Sequence, residues 1–170
     1  MQTLRGAIKW TGVALFSIVA GTAASWGQPS KEAKSSDTKQ IDRGRYLVRI
    51  AGCNDCHTPG YMQNAGQVPE KDWLTGDRLG WRGPWGTTYA SNLRTYMNDL
   101  SESQWVKLAH SAQFRPPMPW FALHEMTEQD LRAIYRFVKH LGPSGDPAPP
   151  YLPPDQEPKG PYVLFPQPPK

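Results

Sequence analysis

The sequence predicts an all-α domain, a few helices joined by long loops. Apolar residues recur at helical spacing over 42–51, 101–112 and 127–141. No region alternates strands with helices as a βαβ chain does. The only two cysteines sit beside a histidine in Cys53-Asn54-Asp55-Cys56-His57, directly after the first of these periodic segments.

Taken in order, residues 1–24 read as a secretory leader. Arg5 and Lys9 form a positive start, Trp10 to Gly21 an apolar run, and Thr22-Ala23-Ala24-Ser25 a small-residue cleavage site. The run is short of the roughly 20 residues a membrane span needs, so a cleaved signal is expected, with an uncleaved anchor as the alternative. Residues 25–40, polar and bearing lysine and serine, are expected to be a flexible lead-in. The domain itself is placed at 41–142, within the usual size of one small domain.

Its first helix spans Asp42 to Ala51, with Ile41, Tyr46, Leu47 and Ile50 as an apolar stripe. Gly44 lowers helix propensity there, and the reading that fits is a site where another helix approaches closely. Residues 58–100, rich in glycine and tryptophan without a sustained period, are expected to be mostly loop. Long loops inside a compact domain need something to organise them. Ser101-x-x-Gln104 is a capping box opening a helix to Ala112. Thr127 caps the next, whose face is Leu131, Ile134, Tyr135, Val138 and Leu141, and Gly142-Pro143 ends it. This last helix is the expected partner of Gly44. Residues 143–170 hold eleven of the chain's 18 prolines and form an extended strap or a tail. Tyr151, Leu152, Tyr162, Val163, Leu164 and Phe165 favour the strap.

Two cysteines two residues apart, followed at once by histidine, are the signal for covalent c-type haem attachment. Thioethers at Cys53 and Cys56 would carry His57 under the iron, with Asn54 and Asp55 free to vary as spacers. A thioredoxin-type pair needs the βαβ context that is missing. Structural zinc needs about four ligands, and no second cysteine pair exists. A Cys53–Cys56 disulfide would close too short a loop to stabilise much.

Arg115-Pro116-Pro117-Met118-Pro119-Trp120 supplies the opposite ligand, because flanking prolines hold the backbone extended and aim the thioether without further ordering. Histidine with methionine is an established haem-iron pair that raises the reduction potential and suits one-electron transfer. Met62 lies too close to His57, and Met97 and Met126 lack a rigid frame. Bis-histidine ligation by His110, His124 or His140 is the second choice. The His57 Nδ1 proton should meet a backbone carbonyl near Pro59 or Pro84. Trp81, Arg82, Tyr89 and Asn92 are candidate propionate donors, and Trp73, Trp81, Trp85, Tyr89 and Trp120 candidate walls.

The formal charge of +4 falls to +2 once Arg5 and Lys9 leave with the leader. With no basic cluster or RNA-binding signature, nucleic acid is excluded as a partner.

On Gly44-Arg45-Tyr46-Leu47, the stretch from Cys53 to Gly60, the stretch from Gly86 to Asn92, Met118-Pro119 and the stretch from Leu131 to Tyr135, the chain resembles class I c-type cytochromes. It is most similar to the haem domains in cytochrome subunits of bacterial alcohol and gluconate dehydrogenases. The resemblance implies the class I cytochrome c fold, one haem c on Cys53 and Cys56, iron held by His57 and Met118, and terminal helices crossing near Gly44 and Tyr135. It also implies that residues 86–92 lie near the haem edge. Those subunits carry several haem domains in series, whereas this sequence has one motif and a proline-rich end. The expectation is a periplasmic, non-enzymatic electron carrier. Its redox partner would be a dehydrogenase, a quinol-oxidising complex or a terminal oxidase, with peripheral membrane association open. A haem-based catalytic or ligand-sensing domain with a displaceable sixth ligand is the alternative.

Overall fold

The structure, a computed structural model, describes residues 31–166. The expected leader and the start of the lead-in lie outside them. The helices are α1 (Lys31–Ile50), α2 (Cys53–His57), α3 (Leu93–Tyr96), α4 (Glu102–Ser111), α5 (Trp120–Glu125) and α6 (Glu128–Leu141). Strands β1 (Gly80–Gly83) and β2 (Gly86–Tyr89) precede α3, and β3 (Tyr162–Leu164) follows α6.

The frame is α1 against α6. An ideal Cβ on Gly44 would lie 2.0 Å from the Ala133 carbonyl oxygen and 2.7 Å from Phe137 Cβ, so only glycine allows the two backbones this close. The expected crossing is there, but Ala133 and Phe137 make it. The Tyr135 hydroxyl instead donates to the Leu100 carbonyl at 2.7 Å. Leu47, Val48, Leu131, Ile134, Phe137 and Val138 are buried around the crossing, together with Leu74, Met97 and Trp105. Arg43 pairs with Asp130 at 2.9 Å across the same contact.

Both caps read from the sequence are present. Ser101 Oγ accepts from Gln104 N while Gln104 Oε1 accepts from Ser101 N, and Thr127 accepts from Asp130 N. Trp105 Nε1 donates to the Leu131 carbonyl at 2.9 Å, fastening α4 to α6. The lead-in differs from expectation, since α1 already begins at Lys31. Residues 34–39 are exposed, and the first half has no apolar stripe in its sequence, but lysine, glutamate, alanine and glutamine are good helix formers and it continues a packed helix.

The all-α expectation needs the larger correction: a three-stranded sheet of order β2-β1-β3 flanks the helices. β1 and β2 form an antiparallel hairpin, with Gly80 opposite Tyr89 and Gly83 opposite Gly86. β3 runs parallel to β1, with Gly80 opposite Tyr162 and Arg82 opposite Leu164. Strands of three or four residues are too short to write an alternation into the sequence. The proline-rich segment lies on the domain up to this strand. Leu152 exchanges both backbone hydrogen bonds with Thr87, and Arg82 donates to the carbonyls of Pro154 and Gln156. Proline cannot donate but its carbonyl accepts, which suits a strap held by side chains of the domain.

Candidate haem-binding site

The five residues of α2 follow Gly52, whose φ of 71° turns the chain sharply out of α1. Cys53 and Cys56 are unpaired. Burial pushes the Cys53 thiol up to about 11. A thioredoxin-type cysteine needs the opposite shift. Among the described residues no three His, Cys, Asp or Glu side chains gather into a metal cage.

His57 is 8% exposed, and its Nδ1 donates to the Ser91 carbonyl at 2.7 Å. A carbonyl only accepts, so the proton stays on Nδ1 and the lone pair belongs to Nε2. Burial lowers the imidazole pKa, only partly opposed by this hydrogen bond, and keeps the ring in the neutral form that ligates iron. The carbonyl expected near Pro59 or Pro84 is that of Ser91. It is set by the chain's path out of β2, 34 residues from His57, and no local pattern points to it.

Asn54 is not a free spacer. It is fully buried, and its Oδ1 accepts from Thr58 Oγ1 at 2.8 Å. That hydroxyl accepts in turn from Leu74 N at 2.8 Å, where Leu74 is buried at φ 60°. Gly76 N donates to the His57 carbonyl at 2.8 Å. Segment 74–76 is therefore sewn to α2 along its length.

Met118 is half-buried at the margin of the core. Its amide donates to the Arg115 carbonyl at 3.3 Å, and its carbonyl accepts from Trp120 N at 2.9 Å. Thr88 Oγ1 donates to the Pro116 carbonyl at 2.6 Å. The hairpin thus holds both expected ligands, His57 through Ser91 just beyond β2 and the Met118 loop through Thr88. Met97 is 0% exposed inside the core, whereas Met62 is 48% exposed. His110 Nδ1 lies 3.3 Å from the His124 carbonyl, His124 Nε2 lies 3.0 Å from the Ala112 carbonyl, and His140 is exposed.

Of the candidate propionate donors, Arg82 and Asn92 are already engaged. Asn92 accepts from Arg94 N and Thr95 N as the cap of α3, and its Nδ2 donates to the carbonyls of Ser144 and Asp146. Among the described residues two buried side-chain donors lack a partner, Trp81 Nε1 and Asn54 Nδ2, and the indole N–H is of a kind that suits a haem carboxylate. Trp73 belongs to the core, edge-on to Tyr61 and Phe137, while Trp81 and Trp85 meet Phe165 of the strap. The sequence reading missed Arg94, which is buried and donates to the carbonyls of Lys71, Leu141 and Gly142, sealing the end of α6. An open groove of about 770 Å³ along Tyr46, Ile50, Asp55, Tyr61 and Met62 borders α2 but includes neither cysteine nor His57.

Residues 41–142 match the family model for cytochrome c. The chain belongs to the cytochrome c family. One covalent haem c follows from membership, and the cytochrome's single Cys-x-x-Cys-His spacing, an imidazole preset through Nδ1 and the orphaned indole of Trp81 fit that group. Electron transfer is the work of this family. The cytochrome is 26% identical, over 139 residues, to the cytochrome c subunits of quinone-type alcohol dehydrogenases from Gluconacetobacter polyoxogenes and Komagataeibacter europaeus. It is 28% identical, over 132 residues, to the fructose dehydrogenase cytochrome subunit of Gluconobacter japonicus. These alignments cover 71 to 75% of this chain, which spans about a quarter of the relatives' length. No solved structure matches it.

Proposed function

We propose that this cytochrome is a periplasmic, monohaem one-electron carrier whose haem is attached at Cys53 and Cys56 and whose iron is held by His57 and Met118. It passes electrons from a dehydrogenase or quinol-oxidising complex to an acceptor such as a terminal oxidase. The carrying observation is the buried His57 ring, whose Nδ1–H is fixed on the Ser91 carbonyl so that Nε2 alone can reach a metal. The bound haem supplies a reversible ferric–ferrous couple.

The protein's part is to fix that couple. Ser91 orients the imidazole, and the Thr58–Asn54 pair holds the turn that carries it. The proline frame presents Met118, whose thioether favours the ferrous state. Trp81 Nε1 would donate to a propionate, and the buried, hydrogen-bonded His57 ring would limit reorganisation when the charge changes. The dehydrogenase partner is supported by the relatives, whose names place them in alcohol and fructose dehydrogenases. The periplasmic site is supported by the leader pattern in residues 1–24. Among the described residues no helix is long and apolar enough to cross a membrane.

The ferric spectrum of the haem-loaded protein tests the ligation. The sulfur-to-iron band in the red is expected in the wild type and absent in Met118→Ala, and its persistence in the variant rejects Met118. Carbon monoxide added to the reduced wild type should bind slowly and incompletely at neutral pH. Rapid stoichiometric binding would favour a ligand-sensing or catalytic haem instead.

A further inference from the structure

We propose that the proline-rich strap sets the axial ligation of the iron, with Tyr151 as a positioning residue that holds the Met118 loop through Arg115. The inference rests on the histidine–methionine reading above. It concerns residues 143–166, outside the family match, which ends at residue 142.

The strap meets the polypeptide at the two places from which the ligands hang. On the histidine side, Asn92 Nδ2 donates to the carbonyls of Ser144 and Asp146 at 2.8 and 3.1 Å. Its neighbour Ser91 supplies the carbonyl that orients His57. On the methionine side, the Arg115 guanidinium lies 4.0 Å from the centroid of the Tyr151 ring. The Tyr151 hydroxyl donates to the Trp85 carbonyl at 2.8 Å, so the ring is held at its far end by the hairpin. Next in the chain, Leu152 is paired with Thr87 by backbone hydrogen bonds of 2.7 and 3.0 Å. Gly86 leaves room for this: a Cβ there would lie 2.3 Å from the Leu152 carbonyl oxygen and 3.0 Å from the Tyr151 ring. Thr88 completes the loop of contacts by donating to the Pro116 carbonyl. Arg115 and Pro116, three and two residues before Met118, are thus gripped, Arg115 by the strap and Pro116 by the hairpin that the strap braces.

This arrangement has a specific chemical consequence. Arg115 is exposed, and a guanidinium over an aromatic face is attracted to it without needing a buried counter-ion. The contact therefore holds the methionine loop against the hairpin at a point where the core does not. Weakening it leaves the helical core intact and lets the thioether leave the iron more often. A brace that served stability alone would lower the unfolding midpoint without changing the iron's ligand.

The test uses the full chain loaded with haem, and follows the red sulfur-to-iron band of the ferric protein as pH rises, together with the reduction potential. Tyr151→Ala and, separately, Arg115→Leu are expected to raise the methionine-off fraction about threefold, the scale of one exposed cation–π contact, moving the loss of the band about half a pH unit lower. The potential should fall in both. Tyr151→Phe keeps the ring and should restore most of the wild-type behaviour. Tyr162→Phe, which alters only a contact within the strap, to Glu157, should leave the band unmoved. The double variant Tyr151→Ala/Arg115→Leu should be no worse than either single one. Unchanged band loss and potential in both single variants would overturn the proposal, even if their unfolding midpoints dropped. A wild-type band that survives Met118→Ala would instead overturn the ligation reading on which it stands.

Discussion

At the scale of single residues, the site is held by groups that carry no haem themselves. Thr58 is fully buried and uses its hydroxyl twice, accepting from Leu74 N and donating to Asn54 Oδ1. Valine has the same shape and neither capacity. Thr58→Val should therefore leave a buried amide and a buried carbonyl unmatched and lower stability by about 2 kcal/mol, measurable by denaturant unfolding of the haem-loaded protein. Cys53, Cys56 and His57 stand out because attachment dictates their spacing, and Met118 is proposed because its prolines flank it in the sequence. Asn54 does not stand out. Nothing in a two-residue spacer tells whether its side chain faces solvent, and here the turn points it inward. Ser91 was beyond reach for another reason, since any backbone carbonyl can accept and only the tertiary path decides which one arrives.

At the scale of elements, the α1–α6 crossing decides most. Any side chain at Gly44 meets the backbone of α6, which cannot withdraw as the tip of a flexible side chain can. Gly44→Ala should cost about 3 kcal/mol, at the upper end of overpacking, despite alanine's better helix propensity. A thermal melt of Gly44→Ala as stable as wild type would show that the helices part without penalty. α4 and α6 were readable end to end because their caps and apolar faces are local. The small sheet was not, because β1 and β3 pair residues 82 positions apart and each strand is too brief to carry a period. α5 was missed for a similar reason: its six residues start directly after Pro119, and only Leu123 among them is buried.

At the scale of the whole molecule, charge ties the outer helices to one another. Burial raises the pKa of Glu102, but hydrogen bonds from Arg136 and Arg132 outweigh it and hold the carboxyl below its ordinary value of 4.5. Arg43, with Thr127, holds Asp130 below its ordinary 3.8. Depressed folded-state pKa values contribute stability that is complete above the unfolded values and is lost as pH falls through the folded ones. The contribution of these two carboxylates should accordingly be complete well above pH 4.5 and be lost as pH falls below it, beneath the earlier decline that the lowered pKa of His57 brings below its ordinary 6.5. Glu102→Gln should lower the plateau and shallow the decline; an equally steep decline in that variant would remove Glu102 from the cause. The parallel pairing of β3 with β1 also orders events in time. A chain made from its amino end releases Cys53 to His57 early, whereas Tyr151 and the strand from Tyr162 to Leu164 emerge about a hundred residues later. Haem can be joined to the polypeptide before the hairpin has its second neighbour, so the final ligand geometry waits for the strap to dock, and a chain cut after residue 142 would carry its haem without the brace.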